Sequence, residues 1–261
     1  MIPEQTDSTR ASTSTEDQSG PGVLRGQVWL TIQTRQAQQF VRGRNGTVDK
    51  PSITGLVGFA NHLKVIWQGA RNDDPYADWW LIKVHEALDS ASQLVSARQK
   101  ELHTRLDQMA AMEVELAKSI HPCRVLLRFA NPYAYRGARL IAEYDTLVRT
   151  LLTATHIGLF DRDTAYDLLK PCGRKIRRAF VLPQDYRCLG IDRVTVHRGT
   201  GKAAQAAELM GRIPDDILSG VRCAPLVPRN VRFAGESARH ISLTPIANPP
   251  SARPETKNDD A

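Results

Sequence analysis

Four cysteines in 261 residues, Cys123, Cys172, Cys188 and Cys223, never come closer than sixteen positions to one another. No CxxC pair and no Cys/His cluster of metal-ligand spacing occurs, so a structural zinc site is not expected and a reduced compartment is. No apolar run is long enough to cross a bilayer, and the N-terminus lacks the hydrophobic core of a signal peptide. The expectation is a cytoplasmic protein with no membrane partner. No nucleophile, base and orienting acid stand at a recognisable spacing, so an enzyme with a small-molecule substrate is not expected. Gly199-Thr200-Gly201-Lys202 echoes a phosphate loop but lacks its GxxxxGK[ST] spacing, since Ala203 follows Lys202. Asp161 and Asp163 read as helix-start residues. His62, His85, His156 and His197 have no fixed partner in sequence, so no metal and no cofactor is expected.

Acidic residues are outnumbered, 28 against 35 Lys and Arg, for a net charge of +7. The imbalance is concentrated. Between Lys170 and Arg232 thirteen basic residues face five acidic ones, a local +8. A surface of that sign attracts polyanions, and nucleic acid is the commonest polyanion in a cell. A solvated basic face without a partner is the plain alternative.

What the chain does contain is a strand, helix, turn, helix series from Gln27 to Gln68. Val28, Leu30 and Ile32 alternate with Trp29, Thr31 and Gln33, the period-2 pattern of a strand with one buried face. Thr34 can cap a short helix carrying Ala37, Phe40 and Val41 on one side, and Arg44-Asn45-Gly46 breaks it. Ser52 can cap a second helix with the stripe Leu56, Phe59, Leu63, Ile66 and Trp67. This order is the unit of a ribbon-helix-helix module, in which two strands pair antiparallel, usually across a dimer, and enter the major groove. On that reading Trp29, Thr31 and Gln33 face base edges, followed by Arg35. Gln can bond adenine through both amide atoms, and Thr can meet a base or a thymine methyl. Backbone N–H groups around Ser52, Thr54 and Gly55 would hold a phosphate at the helix start. The alternative is an amphipathic edge strand and a helical hairpin that only pack a core.

The pattern assigns residues 1–22 and 234–261 to polar, disordered tails, and 23–233 to a single folded domain that is mainly α with a few short strands. Its parts are the opening unit (23–69), a helical body with a second strand (70–170) and a basic C-terminal part (171–233). Asp74 caps and Pro75 opens the longest helix candidate, Tyr76 to Lys118, with an interruption near Met109 to Met112. Of Trp79 and Trp80, one is expected in the core and the other at an interface. Arg124 to Ala130 reads as a second strand with Val125, Leu127 and Phe129 on one face. Tyr133 to Thr155 is a helix, and Asp161 caps a shorter one. A second strand-helix-helix thus follows the first, so the two strands could pair within one chain as a pseudo-repeat. Pro171 to Gly173 is expected to break the chain before a basic helix with Arg174, Lys175, Arg177 and Arg178. Ile191 to Val196 alternates like a third strand, and further short helices follow Thr200 and Pro214.

Several runs are distinctive: Leu30 to Gln38, Asp73-Asp74-Pro75-Tyr76-Ala77-Asp78-Trp79-Trp80-Leu81, Arg149 to Ala154, Gly158 to Asp163 and Leu182 to Arg187. Together, over about Gly22 to Pro228, they resemble the AcaB-like transcriptional regulators of integrating conjugative elements and related plasmids. The resemblance implies control of conjugative transfer genes and ribbon-helix-helix DNA binding.

Two functions are compatible with these readings. One is a sequence-specific regulator that binds double-stranded DNA as a homodimer, with Trp29, Thr31, Gln33 and Arg35 toward bases. In it Arg174, Lys175, Arg177 and Arg178 meet phosphates. The other is a non-enzymatic accessory or structural component of the conjugative transfer apparatus. Sequence preference at raised salt separates them.

Overall fold

The computed structural model describes residues 26–48, 52–108 and 114–228. Both expected tails, and the expected interruption near Met109 to Met112, lie outside these residues. Among the described residues the chain is mainly α, with two strands and eight α-helices. Strand β1 (Val28–Ile32) leads into α1 (Arg35–Arg42) and α2 (Leu56–Arg71). The long α3 (Pro75–Asp107) follows, then β2 (Cys123–Leu127), α4 (Pro132–His156) and α5 (Arg162–Val181). A 3-10 turn at Leu182–Asp185 leads to three short helices, α6 (Arg193–His197), α7 (Gly201–Met210) and α8 (Asp215–Leu218).

The alternation of β1 holds from Leu30 on, while Val28, expected on the buried face, is exposed at the strand's start. Leu30 and Ile32 are buried while Val28, Trp29 and Thr31 are exposed. Its partner is β2 of the same chain, antiparallel, with Leu30 opposite Val125 and Thr31 opposite Arg124. Where a ribbon strand paired with a symmetry mate was expected, the two strand-helix-helix units of this chain supply both strands of the ribbon. A lone short strand has no stable partner, and the second unit places one within reach.

Aromatic pairs tie the two units together from behind. Phe40 of α1 meets Tyr144 of α4 edge-on at 5.2 Å, and Phe59 of α2 stacks on Phe180 of α5 at 4.6 Å. Gly137 of α4 permits the second contact, because a Cβ there would lie 2.8 Å from the Phe59 ring. Helix α3 packs along α2, α4 and α5 and closes the core with Leu81, Val84, Leu88, Ala91 and Val95.

The start of α3 is a polar lock. Asp74 caps it by accepting from the Tyr76 and Ala77 N–H groups, with Pro75 in the first turn, as the sequence predicts. Its other oxygen accepts from the Tyr186 hydroxyl at 2.6 Å. Burial, then the Asp74 charge, pushes the Tyr186 phenol well above its ordinary range, so it remains the donor. Arg193, itself buried, donates to Asp73 and Asp78 and to the Leu218 carbonyl. The DDPYADWWL run and the Leu182 to Arg187 run thus meet in space as structure. Trp80 is core, as expected for one of the pair, and Trp79 is half-buried under the Lys83 ammonium at 3.4 Å.

Four expectations are corrected. Pro171 and Gly173 do not break the chain; both lie inside α5, where Gly173 is buried against the Phe40 ring. A Cβ there would meet the Arg177 guanidinium at 3.5 Å and the Phe40 ring at 3.6 Å, ordinary contact distances, so the helix simply continues through the glycine. Ile191 to Val196 is not a strand: the Asp192 carboxylate accepts from the Thr195 N–H at 2.7 Å and starts α6. Ser52 is not the cap of α2. Ile53 instead bonds Arg44 in a bridge, and the helix starts after Gly55. The long helix ends at Asp107, and Val114 to Ala117 is not helical.

Candidate nucleic-acid interface

The outward face of the β1–β2 ribbon is built from alternate residues of both strands. Trp29 stands opposite Leu126, and Thr31 opposite Arg124. Trp29 is 45% exposed, an unusual cost for an indole in water. The Arg124 guanidinium lies diagonally across the ribbon, 5.0 Å from the Trp29 ring centre. That contact orients the cation without neutralising it. Leu30, Ile32 and Leu127 anchor the opposite face in the core.

The exit of β1 is clamped by α4. Asp145, 4% exposed, accepts from the Thr34 N–H at 2.8 Å and hydroxyl at 2.7 Å through Oδ1, and from the Gln33 N–H at 2.9 Å through Oδ2. Thr34 Oγ1 also accepts from the Ala37 N–H, capping α1 as expected. Gln33 is half-buried, and its side-chain carbonyl accepts from the Ser119 N–H at 2.9 Å. That oxygen is one of the two atoms a bidentate adenine contact needs. Arg35 is exposed in the first turn of α1.

The start of α2 is held against the end of α1. A Cβ on Gly55 would lie 2.5 Å from the Gly43 nitrogen and 2.7 Å from the Val41 oxygen. Two glycine backbones pass here at contact distance, with Gly43 at φ +69°. Ser52 is exposed, Thr54 half-buried and bonded by the Gln184 amide, and Gly55 buried.

The basic residues of α5 are separate from the ribbon. Arg174 and Arg178 are exposed, Lys175 donates to the Ser90 hydroxyl at 2.6 Å, and Arg177 lies over the Phe40 ring at 5.8 Å. None of the four is ion-paired among the described residues, and Asp192 is engaged as a helix cap. Elsewhere in the basic third Arg193 is neutralised in the core, and Arg222 pairs with Glu86 at 2.7 Å. The ribbon, the α2 start and α5 are thus three places, joined through α1 and not by one continuous cluster of the predicted residues.

Arg124 and Leu126 complete the outward face and were not among the residues assigned to bases. The alternation of Val125 and Leu127 already implied them once β2 was taken as the ribbon's other strand. Among the described residues no group of three metal-ligating side chains converges, and no helix is long and apolar enough to cross a membrane.

The family model for the transcriptional regulator AcaB matches residues 20–230. The chain belongs to the AcaB family. The fold agrees with the crystal structure of selenomethionine-containing AcaB from uropathogenic E. coli, at a TM-score of 0.53 and 14% identity. The match covers 76% of this chain and 98% of that one. No curated protein matches the chain. The AcaB family assignment makes the chain a transcriptional regulator, and at this identity the structural likeness to AcaB shows the fold alone.

Proposed function

We propose that this AcaB-family regulator acts in the cytoplasm on conjugative transfer genes, reading duplex DNA through the β1–β2 ribbon of a single chain. The observation that carries the reading is the ribbon's outward face, where Trp29, Thr31, Arg124 and Leu126 project from a pair of strands fixed from behind. A two-stranded ribbon fits the major groove, and Arg, Thr and an apolar wall are groups that read base edges there. Gln33, bonded to Ser119 through its carbonyl, sets the ribbon's end and keeps its amide N–H groups for the same groove. Arg35, Ser52, Thr54 and Gly55 flank the ribbon through α1 and α2. Arg174, Lys175, Arg177 and Arg178 supply sequence-independent phosphate attraction. Since one chain completes the ribbon, a homodimer would set the spacing of two half-sites and is not needed to build either reader.

The test is selection of duplexes from a random pool by the full chain, followed by gel shift with competitor DNA at raised salt. A recovered sequence that outlasts its scrambled counterpart supports the reading. Equal loss of both as salt rises would leave an accessory DNA-binding protein without sequence choice.

A further inference from the structure

We propose that a basic cleft beside the ribbon, between α2 and the chain leaving β2, holds the phosphodiester backbone of the DNA that the ribbon reads. The cleft has a volume of about 360 Å³. Lys64, Trp67, Gln68 and Arg71 stand at helical spacing along one face of α2, and Arg128 closes the other wall. Three cations line it, and no acidic residue does among the described lining residues.

The charge is uncompensated. Lys64, Arg71 and Arg128 are exposed and form no ion pair among the described residues, whereas Arg193 and Arg222 in the more basic C-terminal third are paired. Trp67 is half-buried and gives the floor an apolar surface on which a deoxyribose can pack. The Gln68 amide, bonded to Asn72 at 3.4 Å, presents a further polar edge.

Position favours a nucleic-acid backbone over a small anion. Arg128 is the residue directly after β2, two positions beyond Leu126 of the outward face. A duplex seated on the ribbon therefore passes the mouth of the cleft. Phosphate oxygens there meet three donors that need only reach and charge. The proposal rests on the ribbon reading for the position of the duplex, and it adds a second place, besides α5, where affinity as distinct from sequence choice is generated.

The experiment is a salt titration by fluorescence anisotropy with the full chain, on a pool-selected duplex and its scrambled version. Three proteins are compared: wild type, Lys64→Gln/Arg71→Gln/Arg128→Gln, and Trp29→Ala/Thr31→Ala. Thermal melting monitors folding, which the surface substitutions should leave unchanged. The cleft variant is expected to weaken both duplexes by the same factor. Its salt slope should flatten by about 0.9 for each cation that holds a phosphate. A slope equal to wild type overturns the proposal, even where the ribbon variant loses the selected duplex alone. A flattened slope with a ribbon variant that still prefers the selected duplex leaves the cleft as a phosphate site and overturns the ribbon reading instead.

Discussion

Asp145 accepts three hydrogen bonds from the turn between β1 and α1, two from Thr34 and one from the Gln33 backbone, at 2.7–2.9 Å. A buried carboxylate on α4 thus fixes the end of the strand that carries Trp29 and Thr31. Asp145→Ala leaves two backbone N–H groups and a hydroxyl buried without partners, at a cost of about 2–4 kcal/mol. Hydrogen exchange should report it: protection across Val28 to Thr34 should fall further than in α3. Thr34→Ala removes one of the three bonds and a helix cap, and should cost less, about 1–2 kcal/mol.

The crossing of α1 and α2 depends on two glycines. Gly55→Ala puts a methyl against the Gly43 backbone, where no flexible side chain can yield. It should destabilise by about 1–3 kcal/mol or more, read as a lowered midpoint in a denaturant titration. Gly58→Ala faces only the Thr54 methyl at 3.2 Å and should be close to neutral.

Tyr186 closes the cap of α3 through Asp74. Tyr186→Phe keeps the ring and deletes the hydroxyl, which should cost about 1.5–3 kcal/mol because the acceptor is a buried carboxylate. Burial raises the Asp74 carboxyl above its ordinary value, with the Tyr186 hydrogen bond opposing it. Removing the hydroxyl should raise it further, so that the stability lost on ionising Asp74 goes on being lost to higher pH.

Much of this arrangement was legible in the sequence. Period-2 and period-3.6 patterns located both strands and α1, α2 and α4, because the helices bury apolar stripes and the strands bury Leu30, Ile32 and Leu127, although Val28 stays exposed and β2 half-buries both faces. The Asp74-Pro75 start was legible because cap chemistry is local. The path of α5 was not: Pro171 and Gly173 carry the letters of a break, yet the helix runs through both, with Gly173 and Cys172 buried among the core residues. Residues 191–196 misled because a short β-branched alternation fits either element, and the Asp192 cap decides. Of the candidate site, Trp29 and Thr31 stand where the alternation put them. Arg124 joins them only through strand pairing, and the Ser119 bond to Gln33 spans 86 positions, which no local pattern reports.

Burial pushes the Tyr144 phenol up to about 12 from an ordinary value of 10.0. Since the folded-state value is raised, the unfolded chain releases this proton first as pH rises. The stability it contributes is intact below pH 10 and is lost between pH 10 and about 12, amounting to about 2–3 kcal/mol. Denaturant midpoints across that window should fall in the wild type and fall less in Tyr144→Phe.

The exposed cations of α5 should act on affinity alone. Arg174→Gln/Arg178→Gln should weaken selected and scrambled duplexes by a similar factor, with a salt slope flatter by about 0.9 for each phosphate no longer held. An unchanged slope in anisotropy titrations would leave α5 as scaffold.

The most direct measurement of the central claim is the ratio of affinities for the selected and the scrambled duplex in Thr31→Ala and Arg124→Ala. Both substitutions lie on the outward face and leave Leu30, Ile32 and Leu127 in place. The single-chain ribbon predicts that each lowers the ratio by about 1–3 kcal/mol of discrimination, with binding to the scrambled duplex reduced only by the missing charge in Arg124→Ala. A ratio equal to wild type in both variants would contradict base reading by this ribbon.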